Sequence, residues 1–87
     1  MEPEEIAKTL HEHIVQRYVV PADDPDFNDD VHLFDYGYVD SFGAVELVSF
    51  VQEAFGVKVG QADMIAYPMN TINEIAAFVA LRQKGEL

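Results

Sequence analysis

The chain has 87 residues, so a single domain over 1-87 is expected, with a modest core and no room for a large enclosed active site. Sixteen acidic residues against five basic ones give a formal charge of −11, which argues against nucleic acid and anionic lipid as partners, because binding them needs Lys and Arg to displace counterions. A hydrophobic content of 49% favours folding over disorder, and the absence of cysteine rules out disulfides and fits a reducing compartment.

Pro3 suits the first turn of a helix, with Glu2, Glu4 and Glu5 near the positive end of its dipole. These acids stand where a signal peptide is basic, and no apolar run is long enough to insert in a membrane, so a soluble, cytoplasmic protein is expected. Ile6, Leu10, Ile14 and Tyr18 recur every four residues, with Ala7 and Val15 widening the stripe, which predicts an amphipathic helix over residues 4–19 ended by Val20-Pro21. Residues 21–33 are rich in Pro, Asp and Asn without period, and Phe27, Val31 and Leu33 are the apolar residues expected to pin this long loop to the core.

A second helix is predicted from Ser41 to Phe55. Leu47, Val51 and Ala54 make its stripe, widened by Val48 and Phe55, and Gly56 is its stop. Phe42, Val45 and Ser49 fall on the other flank beside Glu46, an edge expected to carry apolar side chains into solvent. Val57-Lys58-Val59 reads as an extended connector that tucks in two valines, and Gln61 to Tyr67 as about two helical turns ended by Pro68. Thr71-x-x-Glu74 has the form of a capping box leading a last helix, with Ile72, Ile75, Phe78, Val79 and Leu81 on its buried side and Arg82 and Lys84 at its negative end. The sum is an all-α fold, a small four-helix bundle of three main helices and one short one, with a long first loop.

Asp40-Ser41 stands where the irregular acidic segment turns into the second helix. A phosphate esterified to Ser41 is stabilised there by about 0.3–1 kcal/mol or more, through free N–H groups and the helix dipole. Asp40 offers a carboxylate that can hold a metal ion beside the hydroxyl during such a transfer, and Gly43 removes a side chain where a partner or attached group would approach. The plainer reading is that Asp40 or Ser41 only caps the helix, as such residues commonly do.

Gly37-x-x-Asp40-Ser41-Phe42, followed by Val45-Glu46-Leu47, resembles the attachment motif of acyl carrier proteins. The similarity extends to Leu33-Phe34 before the motif, Phe55-Gly56-Val57-Lys58-Val59 after the second helix, and the Thr71-led last helix. The resemblance implies a carrier that is not an enzyme. Ser41 would bear 4′-phosphopantetheine, transferred from coenzyme A by a magnesium-dependent pantetheinyl transferase, and Asp40 would help place that metal. The arm's thiol would hold an acyl or aminoacyl group for an adenylating ligase, an acyltransferase or a synthase, and Phe42, Val45 and Glu46 would meet those partners. The carrier itself would hold no metal and would act as a monomer. Phe42 departs from the family's usual leucine, and the second helix carries only Glu46 and Glu53 where fatty-acid carriers are strongly acidic. Leu33-Phe34-Asp35, Gly43 and Asn70-Thr71 are more similar to D-alanyl and other stand-alone aminoacyl carriers.

Three other readings stand beside this one. Asp24, Asp26, Asn28, Asp30, His32 and Asp35 have the spacing of a calcium-binding loop, but Asp29 replaces the glycine of its sharp turn and Asp35 is short for the closing bidentate Glu. A serine hydrolase is disfavoured because Val39 stands where the nucleophile elbow needs glycine, and His11 and His13 lie about 200° apart around a helix, a poor metal pair. A small acidic helical adaptor that is never modified explains the charge and the apolar edge without using Ser41.

Overall fold

The computed structural model describes all residues, 1–87, as four helices joined by irregular segments, with no strand: α1 (Pro3–Arg17), α2 (Ser41–Phe55), α3 (Gln61–Ala66) and α4 (Ile72–Gln83). The all-α four-helix expectation holds. α1 and α4 form the principal pair, joined by Leu47, Val51 and Phe55 of α2. Ile6, Leu10, Ile14, Leu33 and Ile72 are fully buried, each stabilising the fold by roughly 1.5–3 kcal/mol relative to exposure.

The first loop is tied to the start of α4. Val31, Leu33 and Val39 are buried and Phe27 packs half-buried beside them. The Leu33 N–H donates to the Asn70 carbonyl at 2.9 Å, and the Asn73 N–H, an otherwise open donor of the first turn of α4, donates to the Asp29 carbonyl at 3.0 Å. Thr71 caps α4 as its motif predicts. Its hydroxyl accepts the Glu74 N–H at 3.0 Å, while the Glu74 carboxylate accepts the Thr71 N–H at 3.2 Å. Gly56 closes α2 in the left-handed region at φ 65°, and Val57 and Val59 are both buried.

Four details differ from the periodicity. Ala54 is exposed while Phe55 is buried as expected, because the buried face of α2 lies on the Leu47–Val51–Phe55 side. Leu81 is exposed while Ala76 and Ala80 are buried, small residues that let α4 pack closely. Arg82 does more than face the helix dipole: its guanidinium reaches Asp63 at 2.5 Å and lies over the Phe78 ring, which ties α3 to α4. The Asp63 carboxyl is held below its ordinary range, first by the Gly60 N–H it accepts, against partial desolvation, and then by Arg82.

The fourth is the end of α1, which stops at Arg17, two residues early. The Val20 N–H donates to the Val15 carbonyl at 3.1 Å, a bond that requires the residue between to be left-handed, and Val19 is at φ 54°. A β-branched residue there costs about 1–2 kcal/mol, which the reversal offsets by dropping Val20 into the core. Val19 is itself solvent-exposed, so replacing it loses no packing. Val19→Gly is therefore predicted to raise stability by about 0.5–1 kcal/mol, the relieved strain less the added chain entropy. A higher urea midpoint than wild type is the expected result; a lower one would show that no strain is held there.

Candidate functional site

Ser41 and Ser49 are the chain's two serines, and both are exposed. Ser49 lies inside α2, where backbone donors are used by the helix. Ser41 is the first residue of α2, preceded by Asp40 in extended conformation at φ −91° and ψ −175°. Asp40 makes the cap itself. Its Oδ1 accepts the Gly43 N–H at 2.8 Å and its carbonyl accepts the Ala44 N–H at 2.8 Å. The Ser41 and Phe42 N–H groups keep no protein partner, so they are open donors at the positive end of α2, beside the Ser41 hydroxyl. Asp40 Oδ2 also makes no hydrogen bond within the protein, which leaves one carboxylate oxygen for a cation. An exposed hydroxyl, two open amides and a half-free carboxylate suit an esterified phosphate and the metal that accompanies its transfer.

Behind this turn the arrangement is tight. Gly43 is buried, and a Cβ added to it would stand 2.9 Å from Tyr18 Cε1 and 3.0 Å from Val39 Cγ1. The space that Gly43 leaves is filled from inside by Tyr18, so the glycine serves the packing of α1 on α2 rather than the approach of an outside group. The Tyr18 hydroxyl lies 2.8 Å from the Gly43 carbonyl and 2.5 Å from Glu46 Oε1. Glu46 Oε1 also meets His13 Nε2 at 3.2 Å and Arg17 Nε at 3.9 Å, and the His13 ring stacks on Phe50 with centroids 3.6 Å apart. Burial, followed by the hydrogen bond and charge of Glu46, pushes the Tyr18 phenol well above its ordinary range. Burial also pushes the Glu46 carboxyl up, but hydrogen bonds from Tyr18 and His13 and the positive charges of His13 and Arg17 outweigh it and hold it below its ordinary value.

The residues expected to meet partners divide. Phe42 and Val45, one turn apart, are 88% and 70% exposed, the apolar edge the sequence predicts. Glu46 is turned towards α1 with Oε1 engaged there, and only Oε2 is free of hydrogen bonds. Between α2, α3 and the start of α4 lies a cavity of about 150 Å³, lined among others by Phe34, Leu47, Val51, Met64 and Met69. Ala44, three residues after Ser41 and so on the same side of α2, also lines it.

The acidic loop uses its side chains internally. Asp24 accepts the Asp26 N–H through Oδ1 and the Tyr38 hydroxyl through Oδ2, Asn28 accepts the Asp30 N–H, and Asp30 accepts the Asn73 amide. Burial and Asp24 push the Tyr38 phenol up to about 12. No three His, Asp or Glu side chains converge as a metal-holding group. His11 pairs with Asp29 at 2.8 Å, and His13 faces Glu46.

The family described as a phosphopantetheine attachment site matches residues 9–79. The chain belongs to this family and is a carrier protein of the acyl carrier kind, whose prosthetic group is 4′-phosphopantetheine. No curated protein matches the chain. Members of the family are generally carriers without catalysis of their own, and no helix here is long and apolar enough to cross a membrane.

Two predictions follow from the packing around Gly43 and Glu46. Helix propensity alone favours Gly43→Ala by about 1 kcal/mol, but a methyl 2.9 Å from Tyr18 forces a shift costing typically 1–3 kcal/mol, so the substitution should destabilise. Chemical denaturation checks the sign, and a stabilised variant would contradict the contact. Glu46 is ionised more readily in the folded than in the unfolded chain, so its contribution is fully present above the unfolded value near 4.5 and is lost as pH falls through the lower folded value. Stability measured from pH 7 to pH 3 should therefore fall less steeply below pH 4.5 in Glu46→Gln than in wild type. Parallel acid limbs would contradict the assignment.

Proposed function

We propose that Ser41 is the residue to which 4′-phosphopantetheine is esterified. The observation that supports this most is the open start of α2: an exposed hydroxyl flanked by two unpartnered amides and the Asp40 carboxylate, inside a chain that belongs to the carrier family. In the transfer, Ser41 Oγ attacks the pantetheine-side phosphorus of coenzyme A. The pyrophosphate bond breaks, the nucleotide leaves, and the hydroxyl proton goes to a base on the transferase. Asp40 Oδ2, free of hydrogen bonds within the protein, would help hold the magnesium that the transferase brings. The arm supplies a thiol that carries cargo as a thioester.

The chain then works as a monomeric single domain in the cytoplasm, delivering an acyl group between an adenylating ligase or acyltransferase and a synthase. Phe42 and Val45 give these partners an apolar contact, and Glu46 Oε2 faces any basic group they bring. An aminoacyl cargo rests on Gly43 and Asn70-Thr71. Gly43 is accounted for by Tyr18, the Asn70 carbonyl by the Leu33 N–H, and Thr71 by its cap on α4, so none of them requires that cargo. The apolar cavity beside Ala44, about 150 Å³, matches in volume one that holds benzene, which supports a short apolar acyl group over D-alanine.

Incubation with coenzyme A, magnesium and a broad-specificity pantetheinyl transferase is predicted to add one phosphopantetheine mass, and Ser41→Ala to add none. An unchanged wild-type mass would return the chain to the unmodified adaptor reading. Charging the modified protein with a panel of thioesters should favour short apolar acyl groups for retention; equal protection of an alanyl thioester would remove the preference.

A further inference from the structure

The hydroxyl of Tyr18 has one proton and two acceptors, the Gly43 carbonyl at 2.8 Å and Glu46 Oε1 at 2.5 Å. With Glu46 ionised both oxygens need that proton, so the phenol makes a three-centre bond that grips the first two turns of α2 from outside the helix. The ring completes the grip. It lies against Gly43 closely enough that no side chain fits there, and the Arg17 guanidinium lies 5.7 Å from its centroid. The end of α1 holds it: the Tyr18 N–H still donates to the Ile14 carbonyl at 3.0 Å, and the chain reverses only afterwards, at Val19. The last turn of α1 and a missing Cβ on α2, 25 residues apart, thus meet on one phenol. Gly43 is the residue whose amide Asp40 caps and which lies two positions after Ser41.

We infer that Tyr18 is a positioning residue of the attachment site, fixing the first turn of α2, and with it the Ser41 hydroxyl, through Gly43 and Glu46. This rests on the reading of Ser41 as the modified residue for its consequence, though not for its geometry. Tyr18 never touches coenzyme A; it narrows the range of orientations in which the transferase meets Ser41. Misplacement of a reacting group by about an ångström can cost up to about a hundredfold in rate. The group moved here is one turn removed, so a smaller loss, of about tenfold, is expected.

The test is Tyr18→Phe, which keeps the ring against Gly43 and removes only the hydroxyl. Ile6→Val serves as the control, a mildly destabilising change at the far end of α1, about 18 Å from Tyr18 along the helix. Two readouts are needed. Amide hydrogen exchange at Gly43 and Ala44 should accelerate about tenfold in Tyr18→Phe, with Val79 in α4 changed no more than in Ile6→Val. The kcat/KM for modification by the transferase should fall about tenfold, carried mainly by kcat, while Ile6→Val stays within twofold of wild type.

Unchanged exchange at Gly43 and Ala44 would overturn the inference, as would a transfer rate that falls equally in both variants. If wild type accepts no phosphopantetheine at all, the Ser41 reading fails, and the exchange result alone still decides whether Tyr18 holds the turn.

Discussion

Everything proposed for Ser41 depends on how the first turn of α2 is held, and it is held from two sides. Along the helix, Asp40 satisfies the Gly43 and Ala44 amides. Across the bundle, Tyr18 bonds to the Gly43 carbonyl and to Glu46. Both sets of contacts converge on Gly43. A hydrogen bond to an ionised partner contributes about 1.5–3 kcal/mol, more than the roughly 1 kcal/mol that glycine sacrifices in helix propensity, so the sequence tolerates a glycine in the first turn of α2. The outer face is left open: Ser41 and Phe42 keep free amides and stand in solvent. Rigidity behind and access in front are what a modified residue needs.

The same division runs through the charge. A net charge of −11 suggests a surface that recruits basic partners, yet several of the acids act inside the molecule. Asp24, Asp29 and Asp30 shape and anchor the first loop, Asp63 holds α3 to α4 through Arg82, and Glu46 joins α2 to α1. Just after Ser41 the most exposed side chains on α2 are instead apolar, Phe42 and Val45, with the Asp40 carboxylate before it. In the proposed function, charge would steer encounters at long range and the apolar edge would supply contact once partners meet.

Much of this was readable in the residues. Ile6, Leu10 and Ile14 share one face with Ala7 only on a helix, since a strand would put Ala7 on the opposite side; Thr71-x-x-Glu74 states where α4 begins, and Gly56 states where α2 ends. What failed was information that local pattern does not hold. Periodicity places a stripe but not its centre, so Ala54, expected within the stripe of α2, is exposed while Phe55 at its expected margin is buried, and on α4 Ala80 is buried in place of Leu81. Tyr18 continued the stripe of α1, and nothing near it announces a partner at Gly43, which lies 25 residues away. Gly43 in turn reads from sequence as an open place on the surface, because a missing side chain looks the same whether solvent or a tyrosine fills the space. The left-handed Val19 was invisible for a related reason: residue type argues against it, and only the burial of Val20 explains it.

The most direct measurement of the central claim is fragment-ion mass spectrometry on the protein after treatment with coenzyme A and a pantetheinyl transferase. With only Ser41 and Ser49 to choose between, the added mass is predicted on fragments that contain Ser41 and on none that contain Ser49 alone. Phosphopantetheine located on Ser49, or divided between the two serines, would contradict the account, because it would show that the open start of α2 does not select the site.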